Sequence, residues 1–100
     1  MPTYFLFGAY TPDAIRGISA ARTEQVREEI ARCGGRVREI YALLGERDVC
    51  LIVDLPGSAE AMRLSIRLTR LTGICFTTSH AIPIDEFDRV AQGELADVDP

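Results

Sequence analysis

Residues 36–54 read RVREIYALLGERDVCLIVD, two apolar-rich runs joined at Leu44-Gly45-Glu46-Arg47-Asp48. Each run is short, rich in Val, Ile, Leu and Tyr, and abuts a glycine turn, which is the pattern of strand, turn and strand. The first strand is expected at 36–44 and the second at 47–55. Alternation along the second puts Val49, Leu51, Val53 and Leu55 on one face, the candidates for packing under helices. Asp48, Cys50, Ile52 and Asp54 fall on the other.

Upstream lies ARTEQVREEIARC, with Ser19 as a candidate N-cap and Gly34-Gly35 as a left-handed stop. Steps of three and four give it an inward stripe of Arg22, Val26, Ile30 and Cys33, with Glu24–Arg27 and Glu28–Arg32 as solvent-side pairs. Downstream, Pro56-Gly57-Ser58 breaks the chain and EAMRLSIRLTRLTG reads as a second helix. Its charges (Glu60, Arg63, Arg67, Arg70) form only a narrow stripe. That is more apolar than a helix lying alone on a sheet requires, which points to a partner subunit. TYFLFGAY at 3–10, ended by Thr11-Pro12-Asp13, and the run from Ile74 to Pro83 supply the outer strands. IDEFDRVAQ then reads as a short amphipathic helix with Ile84, Phe87 and Val90 on one side.

The element order is β-α-β-β-α-β. Right-handed crossovers reduce it to an antiparallel four-stranded sheet in the order 4-1-3-2, with both main helices on one face, an α+β fold. One domain is expected over 1–92, followed by an acidic, mobile tail at 93–100. The sheet's other face is left bare. It is expected to carry Asp48, Cys50, Ile52 and Asp54 beside Tyr4, Leu6 and Tyr10, and to be covered by a second copy.

Composition excludes several classes of function. At 47% apolar and 26% charged the chain is globular rather than disordered. It has no lysine, so no Schiff base and no internal pyridoxal-phosphate linkage. A single histidine, His80, rules out three-histidine and HExxH metal sites within one chain. There is no GxGxxG and no P-loop, and a net charge of −4 argues against a nucleic-acid partner. No long apolar run and no basic leader is present, so no membrane partner is implied and a cytoplasmic location is expected. No cofactor and no metal is implied. Cys33, Cys50 and Cys75 are odd in number and widely spaced, and are expected to be small buried apolar residues rather than a disulfide framework.

Several motifs in order, MPTYxxxGxYTP, Gly17-Ile18, Arg22, GGxVxxxYxxLGExD, VxLIVDxP and TTxxAxPxxEFD, resemble the GYD domain over about residues 1–90. The resemblance implies a ferredoxin-like fold that pairs into a dimeric α+β barrel, and it implies no particular activity. One position departs from the pattern: the eponymous glycine–tyrosine–aspartate turn appears as Gly45-Glu46-Arg47-Asp48, with Arg47 where the tyrosine is expected. Arg47 cannot act as a phenol but can hold an anion.

The candidate catalytic residues are His80, whose unperturbed pKa lies near neutrality, and Asp48 as its partner or as a second base. The bland readings are a half-buried strand histidine and an aspartate that caps the hairpin. Candidate ligand-binding residues are Arg22, Tyr41, Tyr10 and Arg47. Arg22 either snorkels to a carboxylate such as Asp48 or Asp54, or holds a ligand anion. Two functions follow as expectations. One is a small homo-oligomeric module that binds a small organic ligand at or near a subunit interface. The other is a cofactor-free enzyme of monooxygenase, isomerase or cyclase type, with His80 as general base and Arg22 as anion stabiliser. They separate on whether His80 and Arg22 share a cavity of about 300 Å³ or more.

Overall fold

The computed structural model describes the backbone of residues 1–98 and the side chains of residues 1–93. The runs on either side of the 43–48 turn form β2 (Arg36–Ala42) and β3 (Val49–Asp54). They pair antiparallel, with Ile40 opposite Leu51 and a bulge between Val37 and Glu39. Gly45 takes φ +126°, open to glycine and strained for other residues, and the Leu43 amide donates to the Asp48 carbonyl to close the turn. β1 (Thr3–Gly8) pairs antiparallel with β3 on one side and with β4 (Phe76–Ala81) on the other. The sheet order is β2-β3-β1-β4, which is the expected 4-1-3-2 counted from the opposite edge.

A short helix, α1 (Pro12–Arg16), stands where only a turn is legible in the sequence. The Thr11 hydroxyl accepts from the Ala14 amide at 3.0 Å, and Pro12 sits in the first turn, where its missing N–H has no partner to lose. α2 (Ala20–Arg32) starts at Ser19, whose hydroxyl accepts from the Arg22 amide at 3.0 Å, and stops before Gly34 at φ +79°. Val26, Ile30 and Cys33 are buried, as the stripe predicts. Arg27 pairs with Glu24, whereas Arg32 pairs with Glu29 rather than Glu28. Glu29 lies at the seam with the next helix and also takes Arg67 at 3.2 Å.

α3 (Ser58–Thr72) ends at Gly73 in the left-handed region and buries Ala61, Leu64, Leu68 and Thr72. One core joins these to Val26 and Ile30 of α2, Tyr4 and Leu6 of β1, and Val49, Leu51 and Val53 of β3, with Leu55 just beyond. The β3 alternation expected from sequence is therefore the observed one, and both main helices cover the same sheet face.

The expected content of the bare face needs correcting. Tyr4 stands opposite Val53 and Leu6 opposite Leu51, and residues directly opposite in an antiparallel pair share a face. Tyr4 and Leu6 therefore enter the helix-covered core, and Tyr10 packs against that core too. The open face carries Phe5 and Phe7 instead, beside Cys50, Ile52, Asp54 and Tyr41. Asp54 is buried there because it is paired: the Thr3 hydroxyl donates to it at 2.7 Å, Arg36 at 3.0 Å, and Arg38 lies at 3.4 Å. The Thr3 hydrogen bond, helped by the two guanidinium groups against the cost of burial, holds its pKa below the ordinary carboxylate value.

α4 (Ile84–Val98) follows β4 after two residues and passes through Gly93, a residue that costs a helix about 1 kcal/mol relative to Ala. The helix is thus longer than IDEFDRVAQ. The tail expected at 93–100 lies largely outside the described residues, apart from backbone that continues the helix to Val98. Among the described residues α4 makes no substantial contact with any other element. It extends the molecule to 58 × 30 × 18 Å, with a radius of gyration of 16.1 Å. A compact chain of this length would have about 13 Å. Among the described residues no helix is long and apolar enough to cross a membrane.

Candidate functional site

β4 is an edge strand of small polar residues, and the α3 surface facing it is built from Ser58, Ala61 and Ser65. Side chains of that size do not fill the space between a helix and a sheet, and an open cleft of about 560 Å³ remains. Register places Phe76, Thr78 and His80 on the cleft side, opposite Gly8, Leu6 and Tyr4. The His80 ring stacks on Tyr4 with centroids 5.0 Å apart and planes at 26°. Met62 and Ile66 of α3 are more exposed parts of the same wall. Among the described residues no Asp, Glu or Arg lines the cleft.

One atom in this cleft is out of keeping with a merely loose corner. The Thr78 Oγ1 is buried and has no hydrogen-bond partner among the described residues. A buried hydroxyl left unpaired costs about 1–3 kcal/mol, and a second hydrogen-bonding residue, His80, follows two positions on along the same strand. The cleft therefore offers a wall that joins the aromatic rings of Tyr4 and Phe76 to the aliphatic Ala61, Met62 and Ile66, with two hydrogen-bonding residues, Thr78 and His80, two positions apart on one strand.

The remaining sequence candidates lie elsewhere. Arg22 is half-buried, donates through Nη1 to the Ala14 carbonyl at 2.6 Å, and lies over the Tyr10 ring, 6.0 Å from its centroid. It reaches neither Asp48 nor Asp54. The space beside Arg22 and Tyr10 is only about 70 Å³. The Asp48 carboxylate accepts from the Tyr10 amide at 2.8 Å, and the Asp48 amide donates to the Gly8 carbonyl at 2.8 Å. Asp48 thus ties the hairpin turn to the end of β1. This cluster sits past Gly8, while His80 is level with Tyr4, a separation of about 13 Å along the strand. His80 is joined there by neither Arg22 nor Asp48. Arg47 lies over Phe7, 5.6 Å from its centroid, and Tyr41 is half-exposed opposite Cys50. Both belong to the open face, across the sheet from His80.

Of the candidate catalytic and ligand-binding residues named from sequence, only His80 lines the cleft. Tyr4, which as a strand tyrosine suits an aromatic ligand wherever it meets a cavity, lines it too, as does Thr78 from the strand face of His80; Ser65 is the residue that sequence reasoning misses. The sequence signal for the cleft is faint: two stretches of small residues, SAEA at 58–61 and TTS at 77–79, that the fold sets against each other. Burial pushes the Cys33 and Cys50 thiols up in pKa, in keeping with structural residues. Cys75 departs from expectation and is exposed, because it links the buried Ile74 to the start of an edge strand.

A family model described as GYD domain matches residues 4–91, which takes in every strand, both main helices and the cleft residues Tyr4, Thr78 and His80. No curated protein and no solved structure matches the chain significantly. The family match spans most of the chain, and the protein belongs to the GYD domain family.

Proposed function

We propose that this protein is a small-molecule binding module whose site is the cleft between α3 and β4, and that it works as a homo-oligomer. The Thr78 hydroxyl, buried in the wall of a predominantly apolar cleft and without a partner among the described residues, carries this reading. The volume lies within the range of ligand sites, about 300–1,000 Å³. Among the described residues no carboxylate and no arginine lines the cleft to pair with a ligand charge, so the reading takes the occupant to be neutral. It has an apolar or aromatic body that lies against Tyr4 and Phe76. It also has one polar group that hydrogen-bonds to Thr78 and His80.

The open sheet face supports assembly. Phe5, Phe7, Ile52 and Tyr41 keep partial exposure on one surface, and two such faces brought together about a two-fold axis make a dimeric α+β barrel. The reading places the protein in the cytoplasm, in keeping with its free cysteines. Turnover by a cofactor-free mechanism needs a base and an anion stabiliser at one locus. His80 is in the cleft and Arg22 is not, which favours binding without turnover.

Calorimetry against a panel of neutral phenols and aliphatic alcohols tests the proposal. Binding at one site per chain is expected for the aromatic members. Thr78→Val should weaken it about tenfold, the loss of one hydrogen bond of about 1.4 kcal/mol, with the fold intact. Binding that is absent across the panel, or equal in the variant, defeats the reading.

A further inference from the structure

The outer face of α4 has nothing packed on it. Ile84, Phe87 and Val90 recur at helical spacing and are 68%, 53% and 54% exposed. The joint to β4 is only Ile82-Pro83, and the Phe87 amide donates to the Pro83 carbonyl at 3.0 Å, so the helix begins directly on a residue of fixed φ. That joint carries α4 away from the body of its own chain. Its apolar face is flanked by Glu86 on one side and Asp88 on the other, neither of which has an ion-pair partner among the described residues.

α3 presents the complementary strip. Met62 and Ile66 are 70% and 53% exposed on the cleft wall, next to Arg63, Arg67 and Arg70. Arg67 already holds Glu29, while Arg63 and Arg70 have no carboxylate partner among the described residues. An apolar row edged with acids on one helix thus matches an apolar row edged with arginines on another. The two rows belong to helices that make no substantial contact with each other within one chain among the described residues.

We infer that α4 of a second copy docks along α3, with its Phe87 over the mouth of the cleft and its carboxylates toward Arg63 and Arg70. The match of apolar rows removes exposed apolar surface from water on both sides, and the charge match fixes which way the helix lies. One chain alone then holds an incomplete site, because the open side of the cleft is walled by its neighbour. The docking stands on its own observations; only the statement that it completes a ligand site rests on the function proposed above.

Cross-linking tests the inference in a Cys75→Ser background, which removes the exposed native thiol. Chains carrying only Phe87→Cys are mixed with chains carrying either Met62→Cys or Ile66→Cys and oxidised mildly. A disulfide-linked species of twice the 11.0 kDa chain mass is expected in the mixture. Its absence with both α3 variants overturns the docking. So does a bond that forms only within a chain bearing both substitutions, since α4 would then lie on its own α3. If the cross-link forms while no neutral probe binds, the docking holds and the ligand reading alone falls.

Discussion

At the Gly8 end of the helix-covered face, Arg22 gives its guanidinium to the Ala14 carbonyl, Asp48 accepts the Tyr10 amide, and almost no space is left. At the Tyr4 end, Thr78 has a buried hydroxyl without a partner among the described residues, His80 lies two positions along the same strand, and a cleft of about 560 Å³ opens. The first end holds the more reactive residue types, an arginine and a carboxylate, yet every polar group cited there already has a partner within the chain. The second holds modest types with hydrogen-bonding capacity to spare. A residue's chemistry shows what it can do, whereas its unmet bonding shows where the fold leaves it free to act.

The largest expected effect checks that the two ends share one core. Leu64 is fully buried and lies on the same helix as the cleft residues Ala61 and Ser65. Leu64→Ala should cost about 3 kcal/mol of stability in a urea melt. A loss under 1 kcal/mol would mean that α3 is not packed as described.

Next is Asp54, on the opposite face of the sheet. Its pKa is depressed in the folded state, so its contribution is present above the unfolded value of about 4 and is lost as pH falls through the lower folded value. Asp54→Asn should cost about 2 kcal/mol at neutral pH and flatten the acid limb of the stability profile. A variant with the wild-type acid limb would contradict this assignment.

At the Gly8 end, Arg22→Gln should cost about 1 kcal/mol through the lost bond to Ala14 and leave probe affinity unchanged. Weakened binding would bring Arg22 back as a site residue. The smallest stability change is expected for Thr78→Val, within about 1 kcal/mol of wild type and toward greater stability, because an unpaired hydroxyl is removed. A marked destabilisation would show that Thr78 has a structural partner and would erase the contrast between the two ends.

Much of the fold is legible in the residues, because caps and alternation act locally. Ser19, Gly34 and Gly73 mark helix ends by their own hydrogen bonds and φ angles, and VCLIVD declares its buried face by alternation. β1 does not: TYFLFGAY is nearly apolar at every position, so only pairing with β3 decides that Tyr4 and Leu6 go inward and Phe5 and Phe7 outward. The amphipathic run IDEFDRVAQ ends before Gly93, yet the helix passes through that glycine.

The site was less readable. His80 stands out as the lone histidine, but Arg22 draws attention by lying in an apolar stripe and then spends its charge on a carbonyl eight residues away in sequence. Thr78 gives only the faint sign of a small-residue stretch, since an unfilled space belongs to α3 and β4 jointly and to neither segment alone.

The central claim, that the free capacity lies at the Tyr4 end, is tested most directly by amide and side-chain NMR of the labelled protein titrated with a neutral phenol. Shift changes concentrated at Tyr4, Ser65, Thr78 and His80, with Tyr10, Arg22 and Thr23 unmoved, are the predicted result. Changes centred on Tyr10 and Arg22, with Thr78 and His80 unmoved, would contradict it.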